Sequence, residues 1–519
     1  MLTDSDKKQL VQHGLTVNQV LQQIDQFKSG IEHLHIIRPC TTNDGIAKIH
    51  QSEHVHLLSL FEQAQAKGRV QKFVPASGAA TRMFKTLLEF LHDSSFTIEK
   101  IHDHREAEQA FLFFRNIENY AFYDELKKRF VSNSTEGFQT EDGIKDLLSL
   151  MLQPDGLNLA NLPKLLIPFH HYGEEVRSPL WEHLVEAQFY TRSDAGIAKL
   201  HFTISVQHEA LFQEQLAEIL KHFTPETQFD VSYSFQKPST DTVAVDINFE
   251  PFRMQNGTLV FRPGGHGALI ENINDLHADI LFIKNVDNIL PDPQKQDEIF
   301  YKKILGGFLV KLESEIFAIL NDLYRDPNNE KYIANGLNFL QNKLHITVPL
   351  DIKKQAAEIR TNHIFTLLNK PIRVCGMVRN QGDPGGGPFW VEDKNSNITK
   401  QIVEQVQINT GDPMQKSLLK NATHFNPVDI VCSVRDFRGQ PFDLLEFVDR
   451  KAGFISHKSI EGRELLALEL PGLWNGAMAF WTTFFVEMPF TTFNPVKTIF
   501  DLIRPEHVVQ QEKINSEKG

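Results

Sequence analysis

Five charged side chains stand where small residues, prolines or glycines interrupt the regular pattern of the sequence, and all five have the chemistry to handle phosphate. They are Arg82 and Lys85 in FVPASGAATRMFK (73–85), Lys164 in LPKLLIPFHHYGEEV, Asp287 at the end of ADILFIKNVDN, and Lys497 in FNPVKTIFDLI. In the first segment an apolar run gives way to small residues and then to helical periodicity from about Thr81. Ser77, Gly78 and Thr81 let backbone N–H groups approach a phosphate chain, the helix start favours negative charge, and Arg82 offers a planar fork to phosphate oxygens, with Lys85 one turn on. The same residues also suit a plain strand-to-helix turn with Arg82 in solvent.

The second segment, FRPGGHGALIENINDLHADILFIKNVDN (261–288), carries a stronger pattern. Pro263, Gly264, Gly265 and Gly267 specify a tight loop with an open backbone face, and His266 sits within it. Asp287 falls just past a buried strand, where ligands bind in α/β sheets. A carboxylate there suits Mg²⁺, which commonly takes only one or two carboxylates plus substrate phosphates. The alternative is a simple turn, with Asp287 as a cap.

Lys164 stands ahead of an apolar, strand-like run, and a long cation there can neutralise a transferring phosphate. The adjacent His170 and His171 point to opposite faces if the run is a strand, so one is packed and one exposed and they are not a ligand pair. Lys497 follows Pro495 and precedes a short helix, an arrangement that can hold an ammonium over a pocket. A lysine at a helix start is also an ordinary solvent-facing residue.

The elements that must position these residues follow from periodicity. Residues 1–70 have apolar residues three and four apart and read as a helical N-terminal region. From 199 to 290, β-rich runs (KLHFTISV, FDVSYSFQ, TVAVDIN, TLVFRP, ADILFIKNV) alternate with helical ones, the pattern of a mixed, mostly parallel sheet covered by helices. The organisation is then an α/β core over 71–370 with a helical insertion at about 86–160, a β-rich part over 371–505 that completes it, and a polar tail over 506–519.

Composition limits the rest. At 519 residues, 41% hydrophobic and 23% charged, the chain has enough apolar residue to fold almost throughout. A net charge of -13 excludes a footprint for nucleic acid or an anionic membrane surface, so cations for a phosphate ligand must be gathered locally. Cys40, Cys375 and Cys432 have no metal-type or redox-type spacing and fit a reducing compartment. The N-terminus lacks the apolar core of a signal peptide and no apolar stretch is long enough to cross a bilayer, so the location is read as cytoplasmic. Oligomeric state is not readable from the sequence.

Taken in order, the segments resemble the nucleoside-triphosphate:sugar-1-phosphate transferases, above all the UDP-glucose and UDP-N-acetylglucosamine pyrophosphorylases. ASGAATRMFK is similar to that family's Gly-rich Thr-Arg loop, and the Lys164 segment to the one that follows it. RPGGHG and VDN are similar to its uridine-contacting loop and metal-binding Asp, ITKQIVEQVQI to the stretch whose Glu touches the sugar, and FNPVKTIFDLI to its C-terminal lysine motif. The first loop departs at Ser77 and Ala80, where glycine is usual. The chain also resembles members of an uncharacterised bacterial family carrying the same motifs.

The resemblance implies a GT-A-like (Rossmann-like) nucleotidyltransferase core, magnesium as cofactor, and a nucleoside triphosphate (UTP preferred) and a sugar 1-phosphate as substrates. It implies Arg82, Lys164 and Lys497 as catalytic residues and Asp287 as the metal ligand. Ser77, Gly78, Thr81, Arg82, Lys85, Gln236, Gly264, Gly265, His266 and Gly267 would hold the nucleotide, and Glu404 and Asn475 would face the sugar. A glycosyltransferase that consumes a nucleotide sugar, or a non-catalytic nucleotide-sugar-binding protein, would carry the same motifs.

Overall fold

Runs of β-branched and aromatic residues bounded by Gly, Pro and Asp supply the strands, because such side chains fit a pleated, half-buried or buried surface. The computed structural model describes residues 2–93, 112–129, 141–382, 386–393 and 396–509. Nine of its strands line up in one sheet: β1 (Thr41–Thr42), β2 (Gly45–Ala47), β3 (Val70–Pro75), β4 (Ile197–Ile204), β5 (Gln228–Phe235), β6 (Ile280–Lys284), β7 (Ile372–Arg379), β8 (Asp429–Ser433) and β9 (Thr482–Glu487). Their order is β1-β2-β9-β7-β8-β6-β3-β4-β5, and His424–Phe425 pairs with β7 off this path. All neighbours are parallel except the two pairs made by β8, with β6 and with β7. Every strand but β8 and the short His424–Phe425 therefore ends at the same edge. This is the mixed, mostly parallel α/β architecture the sequence pattern calls for.

Both faces are covered. The helices Gln51–Ala66 and Lys295–Arg325 bury Phe61, Leu305 and Leu309 against Phe282, Val374, Val431 and Phe484. On the other face the helix Leu269–Leu276 packs Leu269, Ile270 and Ile273 against Phe73, Leu281, Ile283 and Ile430. Ionic pairs lie buried under the helices Pro179–Tyr190 and Lys295–Arg325. Lys72 donates to Glu186 at 2.7 Å, Lys284 to Glu186 at 2.7 Å and to Glu298, and Lys302 to Asp429. Unpaired, such charges would cost several kcal/mol each to bury, so the pairing fixes where these helices sit on the sheet. Burial nonetheless pushes the Lys72 ammonium down to about 7, against the pull of Glu186.

The N-terminal region is helical over Asp4–Gln12, Val17–Ser29 and Gln51–Ala66, but a wholly helical reading of 1–70 needs correction. His35–Pro39 pairs with Gly387–Glu392, and β2 pairs with β9. These two strands are only five and three residues long and their partners lie far along the chain, so no local period announces them. TVAVDIN and TLVFRP contribute only Thr242–Val243 and Phe261–Arg262, a two-stranded pair outside the main sheet. Val245 links that pair to the hairpin Phe454–Ile460/Arg463–Glu469 through backbone bonds with Leu466. In the 86–160 stretch, the helices Lys85–His92, Tyr123–Arg129 and Glu141–Leu152 agree with the helical expectation, while 94–111 and 130–140, like 510–519 of the tail, lie outside the described residues. Among the described residues no helix is long and apolar enough to cross a membrane.

Candidate functional site

The carboxyl edge of β3 and β6 gathers four of the segments singled out above. Beyond Pro75 the chain stays beside β4 through Ala76 N–H to the Thr203 carbonyl at 3.0 Å. It then runs through exposed Gly78 and Ala79 into a 3-10 turn, Ala80–Arg82, and the α-helix starts at Lys85 rather than near Thr81. Ala80 N–H bonds the Leu162 carbonyl at 2.9 Å, which lays this loop on the Lys164 segment. The apolar run after Lys164 is not a strand but a buried 3-10 turn, Lys164–Leu166, with Leu165, Leu166 and Ile167 in the core. Burial made the run apolar, and a short apolar run does not by itself distinguish a strand from a turn.

Lys164 Nζ donates to Asp287 Oδ2 and to the Val496 carbonyl, both at 2.8 Å. Val496 N–H returns a bond to the Asp287 carbonyl at 3.0 Å, and Asn494 N–H bonds Asn288 Oδ1 at 2.8 Å. Ile499 N–H closes the ring on the Met83 carbonyl at 3.1 Å. Arg82, Thr81 and Lys497 are exposed around this junction, and neither Arg82 nor Lys497 enters an ion pair among the described residues. Lys85 is also exposed and lies 3.6 Å from Glu89. Ser77 is half-buried beside them.

Asp287 Oδ2 is held by Lys164, and among the described residues no three His, Cys, Asp or Glu side chains come together as a metal-binding group. One carboxylate already bound to an ammonium is too small a donor set for Mg²⁺ without substrate phosphates.

His170 is buried, with Nδ1 2.8 Å from Glu182 and Nε2 3.2 Å from His507 Nδ1, whereas His171 is exposed. The pair splits between faces as strand alternation requires.

The second part of the site lies along the same edge, because Leu269–Leu276 leads from the glycine loop into β6. Gly264 fits under the Thr240 carbonyl, on the loop that follows Gln236, and its own carbonyl accepts from Leu470 N–H at 2.9 Å. Gly265 has φ +76°, a left-handed conformation that glycine adopts without strain. Gly267 packs so closely on the Pro471 carbonyl that a Cβ would overlap it.

His266 Nδ1 accepts from Leu473 N–H at 2.9 Å, and its ring stacks on Trp474 with centroids 4.1 Å apart. Burial lowers His266 to about 4, so the ring is neutral with its N–H on Nε2, 3.9 Å from Glu404 Oε1. Burial raises the Glu404 carboxyl, opposed by hydrogen bonds from Asn475 and Trp474. Gln236 is half-buried at the end of β5. Asn475 is only 5% exposed; its amide nitrogen donates to Gln407 Oε1 at 3.1 Å, and its Oδ1 has no partner among the described residues.

Sequence reasoning missed Trp474, although LWNGAMAFW places it beside Asn475. It also missed His183, whose ring bonds the Val286 carbonyl at 3.1 Å directly under Asp287, and Asn288, which orients Asn494. Both look like ordinary helix or loop residues until the fold brings them together.

A cation-rich junction and a glycine loop thus lie on one carboxyl edge of a mixed, mostly parallel α/β sheet. The chain belongs to the family described as domain of unknown function DUF4301, whose model matches residues 3–508. No curated protein sequence matches it. Among solved structures it is similar to the uridine diphosphate N-acetylglucosamine pyrophosphorylase of Trypanosoma brucei, with 13% identity, TM-score 0.47, and coverage of 93% of this chain and 72% of that one. It is also similar to a UDP-glucose pyrophosphorylase variant from Leishmania major in complex with UDP-glucose, with 10% identity, TM-score 0.42, and coverage of 97% and 79%.

Proposed function

We propose that this protein is a nucleotidyltransferase that forms a nucleotide sugar and pyrophosphate from a nucleoside triphosphate, preferably UTP, and a sugar 1-phosphate. A phosphate oxygen of the sugar 1-phosphate attacks the α-phosphorus in line, and the α–β anhydride bond breaks to release pyrophosphate. Such chemistry rests on positioning and charge neutralisation more than on an acid and a base. The observation that carries this reading is the ring of backbone bonds that brings Arg82, Lys164 and Lys497 to one junction beside Asp287.

The two substrates bring about six negative charges, since a phosphate monoester carries close to two at neutral pH. In a chain of net charge -13 they need those three cations close together. Arg82 takes the triphosphate with the N–H groups near Ser77, Gly78 and Thr81 and help from Lys85. Lys164 and Lys497 face the reacting phosphates. The His266–Trp474 stack and the backbone of Gly264, Gly265 and Gly267 present a flat surface to the base, with Gln236 alongside, and Glu404 and Asn475 face the sugar. Magnesium belongs to the substrate on this reading, arriving with the triphosphate and meeting Asp287 as its single carboxylate. Asp287 serves the free chain as the anchor of Lys164.

One observation favours a second reading, a nucleotide-sugar-binding protein without turnover. Ala80 N–H is already committed to the Leu162 carbonyl and cannot serve a phosphate. A pyrophosphate-release screen over nucleoside triphosphates and sugar 1-phosphates, with Asp287→Ala as control, separates the readings. Release that the control loses supports transfer. Tight UDP-sugar binding with no release in magnesium supports the second reading, and sugar transfer to an acceptor would point to a glycosyltransferase instead.

A further inference from the structure

A cavity of about 650 Å³ opens at the carboxyl ends of β7 and β9, on the face covered by the helices Gln51–Ala66 and Lys295–Arg325. It lies on the opposite face of the sheet from the helix that follows the glycine loop, with β8 between β7 and β6. Its size falls in the range of about 300–1,000 Å³ usual for small-molecule sites. Phe300 and Tyr301 of the long helix, joined by Phe490, give it aromatic walls, and the His54 ring meets Phe300 edge-on with centroids 5.3 Å apart.

The charged groups at its mouth are two cations and one acid, Lys48, Arg379 and Glu487. Lys48 is exposed and enters no ion pair among the described residues. Arg379 is 74% exposed and reaches Glu487 only at 3.4 Å, and that carboxylate also faces the His424 ring at 3.5 Å. Two cations set against one shared acid leave a positive rim over an aromatic floor, on a protein whose overall charge is strongly negative. Apolar walls with a few convergent polar groups are the usual make-up of a ligand pocket.

We propose that this cavity is a second binding site, for a small organic anion with a flat ring system whose ring lies among Phe300, Tyr301 and Phe490 and whose charge meets Arg379 and Lys48. The site bears on the junction described above. Phe490 opens the turn Phe490–Thr492, the Thr492 carbonyl accepts from Asn288 Nδ2 at 3.3 Å, and Asn494 and Val496 follow. A ligand held against Phe490 therefore presses on the loop that carries Lys497.

The test uses the full chain and 8-anilinonaphthalene-1-sulfonate, an aromatic anion whose fluorescence reports binding. Saturable binding at one site per chain is expected, weakened at least about tenfold by Arg379→Glu, a difference of about 1.4 kcal/mol. Phe300→Ala should weaken it similarly, while the neutral analogue N-phenyl-1-naphthylamine should bind less tightly and ignore the Arg379 change. Arg379 is exposed, so its variant should keep the wild-type melting temperature. Saturation should also slow hydrogen exchange at the Asn494 and Val496 amides. Non-saturating binding, or affinity untouched by both variants, would overturn the site; unchanged exchange with intact binding would remove its link to the loop. None of these readings needs turnover, so failure of the transfer reaction leaves them interpretable.

Discussion

The ammonium of Lys164 lies 2.8 Å from Asp287 Oδ2 and 2.8 Å from the Val496 carbonyl oxygen, so a single cation ties the loop after β6 to the loop that carries Lys497. Both side chains are largely buried, at 15% and 11% exposure. Removing either partner leaves the other without its counter-charge.

Lys164→Met and Asp287→Asn should each destabilise the protein, and the double variant should lose less than the sum. A coupling of about 0.5–3 kcal/mol is expected for contacting residues, measured by urea denaturation of the four proteins in the cycle. Strict additivity would show that the pair does not act as a unit. Lys164→Met should also lower turnover by about 10²–10³, the loss typical for one electrostatic stabiliser of a transition state.

Lys497→Ala should separate chemistry from stability. The side chain is exposed, so its loss should move stability by no more than about 0.5 kcal/mol. Turnover should fall far more, with little change in KM if the ammonium acts in the transition state. Proportionate losses in kcat and melting temperature would mark it as structural.

Two glycines should respond differently to alanine. A Cβ on Gly78 meets nothing within 4 Å, so Gly78→Ala should leave stability nearly unchanged, and any effect should appear as weaker triphosphate binding. A Cβ on Gly267 collides with the Pro471 carbonyl, and overpacking of this kind costs about 1–3 kcal/mol. Equal melting temperatures for the two variants would contradict the packing of the glycine loop.

Stability should fall on acidification, in a window set by histidines that are buried or half-buried. His266 is lowered to about 4, His201 to about 4 and His507 to about 3, each mainly by burial. Below about pH 6.5 the unfolded chain takes up these protons first, so stability is lost as pH drops towards 4. Glu404 acts in the opposite sense: its raised carboxyl favours the folded state at low pH, and that contribution is lost as pH rises through its folded pKa. His266→Asn should flatten the acid limb without abolishing it; a slope identical to wild type would refute a neutral, half-buried His266.

How much of this was legible in the sequence depended on how local each feature is. The strand, small-residue loop and helix around Arg82, and the glycine loop leading into β6, are written in consecutive residues and were read nearly in place. β2 was not, because its partner β9 lies hundreds of residues on and no short-range period records it, and β1 joins the sheet only through β2. Asp287 does follow a buried strand, as its sequence position suggests, but its bond to Lys164 was beyond reach, since either residue alone looks like a free ligand. Asn475 was chosen by residue type, and the bond from its amide nitrogen to Gln407 is a distant contact that the sequence does not record.

The bond from Ile499 N–H to the Met83 carbonyl joins two stretches at opposite ends of the sequence, and that has a consequence in time. A chain is made from its first residue to its last, so the Arg82 loop, Lys164 and Asp287 leave the ribosome long before the segment that ties them together. Until Pro495 to Ile499 arrives, Lys164 lacks the Val496 carbonyl and the Arg82 loop lacks its clasp. A nascent chain should therefore be able to pair β3, β4, β5 and β6 before it holds its junction.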